Sequence, residues 1–175
     1  MTIARLSEVS LEYFEQGEGP NVVVFVHGYQ ASARVWHGVQ QALPAQQYRS
    51  IAINNRGAGA TEAPPNESDF TIQKFAADAF ELVSQLGLAR FTLVGHSMGG
   101  LISAMHLLGH QSEYVGPILS GPAIKAADEP SRLMIFISRL LSRLLPKMGV
   151  LGLDANGVSR DPQVVSDYLA DPLVY

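Results

Sequence analysis

At 175 residues the chain is sized for one domain with a sizeable core. Its 47% hydrophobic and 16% charged residues describe a folded protein rather than a disordered one. A net charge of −4, without a basic stripe interleaved with aromatics, gives no reason to expect nucleic acid, and the absence of cysteine excludes disulfides, thiolate nucleophiles and thiolate metal sites. The N-terminal Met1-Thr2-Ile3-Ala4-Arg5 lacks an apolar signal core, and no apolar run approaches the ~20 residues that span a bilayer. A cytoplasmic protein is expected.

Val9, Leu11 and Tyr13 alternate with polar residues, the pattern of a half-buried strand. After Gln16-Gly17-Glu18-Gly19-Pro20 comes Val22-Val23-Val24-Phe25-Val26, an unalternating β-branched run that predicts a strand covered on both faces, as in a parallel sheet between helices. His27-Gly28-Tyr29-Gln30 leaves its C-terminal end. Val35, Trp36, Val39 and Leu43 predict a crossover helix over 32–43, followed by a short buried strand from Ser50 to Asn54. Thr71 is placed to cap a helix carrying Ile72, Phe75, Ala79, Val83 and Leu86 on one stripe, with Gly87 ending it. Phe91 to Val94 form the next strand, and Leu101, Ile102, Met105 and Leu108 mark a helix to about His110. Tyr114 to Ser120 reads as a further strand, although Pro117 cannot donate to a ladder. Alternating strand and helix patterns predict an α/β fold with a doubly wound sheet. Ser131 to Leu145 then predicts a helix with a very wide apolar face, fit either for the core or for a lid over an apolar surface. A short helix pattern runs from Val164 to Leu169.

Between the strand at Phe91 and the helix at Leu101 lies Gly95-His96-Ser97-Met98-Gly99-Gly100. G-x-S-x-G in strand–turn–helix context is a nucleophile elbow: the turn is so tight that the residues two before and two after the serine must be nearly free of side chain. Gly95 and Gly99 meet that need, and Gly100 is expected to let the helix pack close to the sheet. Ser97 is therefore the candidate catalytic nucleophile. Cleavage of an ester by a serine also needs a base and donors for the oxyanion. The backbone N–H groups of Met98 and Tyr29 are placed for the second task. The base is harder to find. His106 and His110 follow Ser97 on the same helix, roughly 13 Å and 19 Å along it, out of reach of the serine oxygen. His96 is expected to point away from Ser97, and His37 reads as surface. His27, ending a neighbouring strand, is the remaining candidate. Asp128 and Glu129 are weak candidates for the acid, while Asp154, Asp161, Asp167 and Asp171 read as caps and turn residues. No pair of histidines or carboxylates shows convincing metal spacing, and no glycine-rich loop matches a phosphate cradle.

His27-Gly28, Arg56-Gly57-x-Gly59 and Gly95 to Gly100, in this order and spacing, resemble the α/β-hydrolase superfamily. Leu119-Ser120-Gly121-Pro122-Ala123, Leu153-Asp154, Ser159-Arg160-Asp161-Pro162 and Asp171-Pro172-Leu173-Val174 are similar to the cap region of monoacylglycerol lipases and lysophospholipases. The resemblance implies a mostly parallel core over 1–122 and a helical cap segment over 123–175. It implies Ser97 as nucleophile, Tyr29 and Met98 as oxyanion donors, no cofactor, and an ester substrate with an apolar acyl chain. Asn54 and Ala58 depart from it, standing where such lipases usually place Asp and His, and the first half looks more like esterases, lactonases and epoxide hydrolases. The family continues past Tyr175 into a portion that carries its catalytic Asp and His, so the chain resembles a hydrolase cut off after its lid. An open sheet edge would then favour a homodimer or another partner, and the cap could touch a lipid surface. A catalytically silent module that binds an apolar ligand or a partner chain is the competing expectation.

Overall fold

Val22 to Val26 lack polar alternation because the strand they build, β3 (Asn21–Val26), lies inside the sheet with both faces covered. The computed structural model describes residues 1–124 and 160–170. It comprises two compact units, Met1–Ala126 and Ala127–Tyr175. In the first, β1 (Thr2–Arg5) and β2 (Ser10–Gln16) form an antiparallel hairpin, and β2 pairs antiparallel with β4 (Tyr48–Ile53). From there the sheet is parallel: β4 to β3, β3 to β5 (Phe91–His96), and β5 to β6 (Tyr114–Ser120). The order is β1-β2-β4-β3-β5-β6, the mostly parallel α/β sheet expected from the alternating patterns.

Side chains of β3 alternate between two apolar layers. Val24 and Val26 pack with Ile51, Ile53, Leu82, Phe91 and Ile102 on one face, and Val23 and Phe25 with Ala52 and Val94 on the other. The first layer is roofed by α2 (Ile72–Gln85) and α3 (Met98–Gly109). α2 begins where predicted: Thr71 Oγ1 accepts the N–H of Lys74, and Gly87 ends the helix at φ 65°. Pro117 is accommodated because β6 ends the sheet among the described residues.

The predicted helix over 32–43 is instead a 3-10 turn, Ala33–Trp36, leading into the short α1 (His37–Ala42). Gly38 and the β-branched Val35 and Val39 weaken a continuous helix, and no side chain caps it at Ser32. Val35 and Val39, the expected apolar face, are exposed. The buried position is Gln40, whose amide donates to the carbonyls of Phe14 and Ser50. β1 is an addition to the sequence reading, too short to leave a pattern. In the second unit the described helix is α4 (Pro162–Ala170), capped by Asp161, whose Oδ1 accepts the N–H of Gln163. The predicted lid helix over 131–145 lies outside the described residues. No helix among the described residues is long and apolar enough to cross a membrane.

Candidate active site

Where β5 turns into α3, Ser97 adopts φ 53° and ψ −118°, a region that a non-glycine residue occupies at a cost of roughly 1–3 kcal/mol. Its surroundings hold it there. The Ser97 N–H donates to the carbonyl of Ser120 at 2.9 Å, and the Ser97 carbonyl accepts from Ala123 at 3.1 Å and Leu101 at 3.2 Å. The turn is thus fastened to the end of β6 and the residues after it. A Cβ on Gly95 would collide with the carbonyl of Gly99 and the hydroxyl of Ser103, and one on Gly99 with the carbonyls of Val26 and His27. Both glycines are needed for the reason the sequence implied. Gly100 does more than expected: a Cβ there would sit 2.9 Å from Pro122 and 3.3 Å from the carbonyl of Gly95 in β5, so it makes room for the chain leaving β6 as well as for the sheet.

The second loop of the site leaves β3. A Cβ on Gly28 would lie 3.2 Å from that of Ser97, which places this loop directly against the serine. The Ala31 N–H returns to the Gly28 carbonyl at 3.4 Å, and Gln30 within this turn has φ 53°. The turn therefore needs a left-handed residue at its third position, as type II turns do. Met98 is the first residue of α3, where N–H groups lack intrahelical acceptors and the helix dipole favours negative charge. Gly28, Tyr29 and Met98 line an open pocket of about 780 Å³, walled further by Phe70, Ile72 and Phe75. Ser97 adjoins it, half-buried between Met98 and Gly28. The Tyr29 side chain is 74% exposed at the pocket mouth.

Arg56 also lines the pocket, but its charge is spent elsewhere. Nε and Nη2 bind the buried carboxylate of Asp78 at 2.6 and 2.8 Å, Nη2 also meets Glu8 at 2.8 Å, and Nη1 donates to the Asp69 carbonyl at 3.2 Å. Asp78 raises the Arg56 guanidinium above its ordinary value, and Arg56 and Lys74 together lower the Glu8 carboxyl. This network fastens the loop after β4 to α2 and so fixes one wall of the pocket.

None of the histidines is hydrogen-bonded to Ser97 among the described residues. His27, the remaining candidate base, is committed at both nitrogens: Nδ1–H donates to the Gly28 carbonyl at 2.7 Å and Nε2 accepts the Asn55 N–H at 3.1 Å. Burial lowers its pKa, outweighing the pull of the Gly28 carbonyl. It is a neutral strut between two loops, which corrects its candidacy as base. His96 is exposed with Nδ1 3.2 Å from Ser120 Oγ, and His37 pairs with Gln41 on the surface. His106 and His110 stack on Phe80. Asp128, Glu129, Asp154 and Asp171 lie outside the described residues, whereas Asp161 caps α4 and Asp167 lies within it, each binding Gln163. No group of three or more His, Cys, Asp or Glu among the described residues is arranged to hold a metal ion. The sequence reading overlooked Ser120 and Gln30. Their signals were slight: a serine ending the strand beside β5, and a long polar residue following His-Gly-Tyr.

Comparison with known proteins identifies the family. Residues 18–175 match the family described as "Serine aminopeptidase, S33". The monoacylglycerol lipase of Mycolicibacterium smegmatis is 36% identical over 158 residues, covering 88% of this chain and 56% of the lipase. Epoxide hydrolase 2 of Siraitia grosvenorii is 37% identical over 87 residues, covering 50% of this chain and 27% of that protein. Among solved structures, an esterase from Exiguobacterium antarcticum superposes with a TM-score of 0.70 at 26% identity, covering 83% of this chain and 56% of the esterase. The chain thus spans little more than half the length of these relatives, or less. The strained serine between two glycines, the loop against it and the family match over most of the sequence lead to one conclusion: the chain belongs to the serine aminopeptidase S33 family of the α/β-hydrolase superfamily.

Proposed function

We propose that Ser97 is the nucleophile of a carboxylic ester hydrolase, forming an acyl-enzyme stabilised by the backbone N–H groups of Tyr29 and Met98. The observation that carries this reading is the Ser97 backbone, held at φ 53° where β5 meets the N-terminus of α3. Structures retain such strain where it serves a function. The pocket beside it supports an acylglycerol or a related ester with an apolar acyl chain: Phe70, Ile72 and Phe75 form its wall, and its cation, Arg56, is neutralised. The likeness to a monoacylglycerol lipase supports the same substrate class, and the epoxide hydrolases among the relatives mark the related alternative.

No described histidine is placed to take the Ser97 proton, so the chain by itself is expected to turn over a short p-nitrophenyl ester on the order of 10⁶-fold more slowly than a complete triad does. A fluorophosphonate probe tests the nucleophile directly. Slow labelling of the chain that disappears in Ser97→Ala supports the proposal; labelling that persists in Ser97→Ala refutes it. The same observation, a serine without a histidine partner beside an apolar pocket, favours a second reading, a silent binding module. Saturable binding of a monoacylglycerol ether without any Ser97 labelling would favour that module.

A further inference from the structure

The loop that carries the Tyr29 N–H is held at both ends by the loop after β4. At its far end, Asn54 Oδ1 accepts the Ala33 N–H at 2.6 Å. At its start, Asn55 meets His27 twice: the Asn55 N–H donates to the ring at Nε2, 3.1 Å away, and the Asn55 amide donates to the His27 carbonyl at 3.2 Å. A backbone N–H can only donate, so Nε2 is the bare nitrogen and Nδ1 carries the proton. The loop after β4 thus chooses the tautomer of His27. At 2% exposure the residue is shielded from solvent that could exchange either partner.

The Nδ1–H goes to the Gly28 carbonyl at 2.7 Å, which receives the Ala31 N–H only at 3.4 Å. That carbonyl and the Tyr29 N–H belong to the same peptide, and in a planar trans unit they point in opposite directions. Anchoring the oxygen therefore fixes where the N–H points. The Tyr29 N–H has no acceptor among the described residues, so its direction is not set by a bond of its own. The peptide lies against the serine, since a Cβ on Gly28 would be 3.2 Å from that of Ser97. Glycine at its first position leaves the peptide free to flip, which would present a carbonyl where a donor is required.

We propose that His27 is a positioning residue for ester cleavage: its Nδ1–H, in the tautomer that Asn55 imposes, holds the Gly28–Tyr29 peptide so that the Tyr29 N–H serves the oxyanion. The role rests on the reading of Ser97 as nucleophile and Tyr29 as oxyanion donor. His27 touches no reacting atom and acts through the backbone alone.

Two amides of the same chemistry test it. His27→Asn puts an amide N–H where Nδ1 stood, whereas His27→Gln fills more of the ring's space but puts its amide where Nε2 stood. Fluorophosphonate labelling of the full chain, followed over probe concentration, separates probe affinity from the maximal rate at Ser97. That maximal rate is expected within about threefold of the parent in His27→Asn and about tenfold or more below it in His27→Gln, with affinity unchanged in both. Packing alone would rank the two the other way. In the parent, long-range proton–nitrogen NMR of the ring should show His27 protonated at Nδ1, a readout that needs no variant to fold. Equal rates in the two variants, a faster His27→Gln, an effect confined to affinity, or a ring protonated at Nε2 would each overturn the positioning role while leaving Ser97 the nucleophile. A parent chain that is never labelled, or labelling that persists in Ser97→Ala, would instead overturn the reading on which the role rests, and the role with it.

Discussion

The side-chain amide of Asn54 donates a 2.6 Å hydrogen bond to the carboxylate of Glu12, with both residues buried. Asn54 Oδ1 meanwhile accepts the Ala33 N–H at 2.6 Å, and the Ala60 N–H reaches the same Glu12 oxygen at 2.7 Å. Asn54 must donate on one side and accept on the other, which an amide does and a carboxylate does not. Asn54→Asp would set two carboxylates in contact out of water and should cost about 3 kcal/mol at pH 7.5. At pH 5 part of that loss should return, because one proton shared by the pair relieves the repulsion. Urea unfolding at the two pH values checks this; an equal loss at both would show that charge is not the cause.

His106 makes stability depend on acid. Its folded pKa of about 4 lies below the 6.5 of a free imidazole, so the unfolded chain binds the proton first. Stability should be fully present above pH 6.5, fall as pH drops, and level off below about 4, a loss of up to about 3 kcal/mol from this residue. His27, also lowered by burial, adds to the decline in the same direction. Thermal unfolding of His106→Gln beside the parent should give a shallower slope between pH 4.5 and 6.5. Parallel slopes would remove His106 from the account.

Glycines of this chain should divide sharply by what surrounds them. Gly99→Ala drives a methyl into the Val26 and His27 carbonyls and should cost more than about 3 kcal/mol or prevent folding. Gly38→Ala, in α1 with nothing within 4 Å of the added methyl, should stabilise by about 0.5–1 kcal/mol. Guanidinium denaturation of the two variants reads both effects.

Removing one member of the Arg56–Asp78 pair should be costly although the pair itself is a modest stabiliser. Arg56→Gln leaves the Asp78 carboxylate buried without its counter-ion and should destabilise by about 3–5 kcal/mol. Arg56→Met combined with Asp78→Leu removes both charges and should lose far less. Unfolding free energies of the single and double variants provide the comparison; equal losses would contradict it.

Much of this architecture was legible in the sequence because local chemistry decided it. The unalternating run of β3, the Thr71 cap, the Gly87 stop and the Gly95–Ser97–Gly99 turn are each dictated within a few residues. What escaped depended on distant partners. Gln40 reads as polar surface until Phe14 and Ser50 supply carbonyls for it, and Glu12 reads as an outward strand residue until Asn54, forty-two positions later, donates to it. His27 seemed available as a base because sequence does not show that Asn55 occupies its second nitrogen.

The strand order also has a consequence for synthesis on the ribosome. The β1–β2 hairpin is the first pair to leave the ribosome, but its next neighbour in the sheet is β4, not β3. β3 then has one edge covered and waits for β5, whose first residue, Phe91, follows the end of β4 at Ile53. The ~40 intervening residues take about 2–8 s to translate at 5–20 residues per second. Throughout that interval the β3 edge that will pair with β5 keeps its N–H and C=O groups unpaired, the stage at which a nascent-chain chaperone has most to hold.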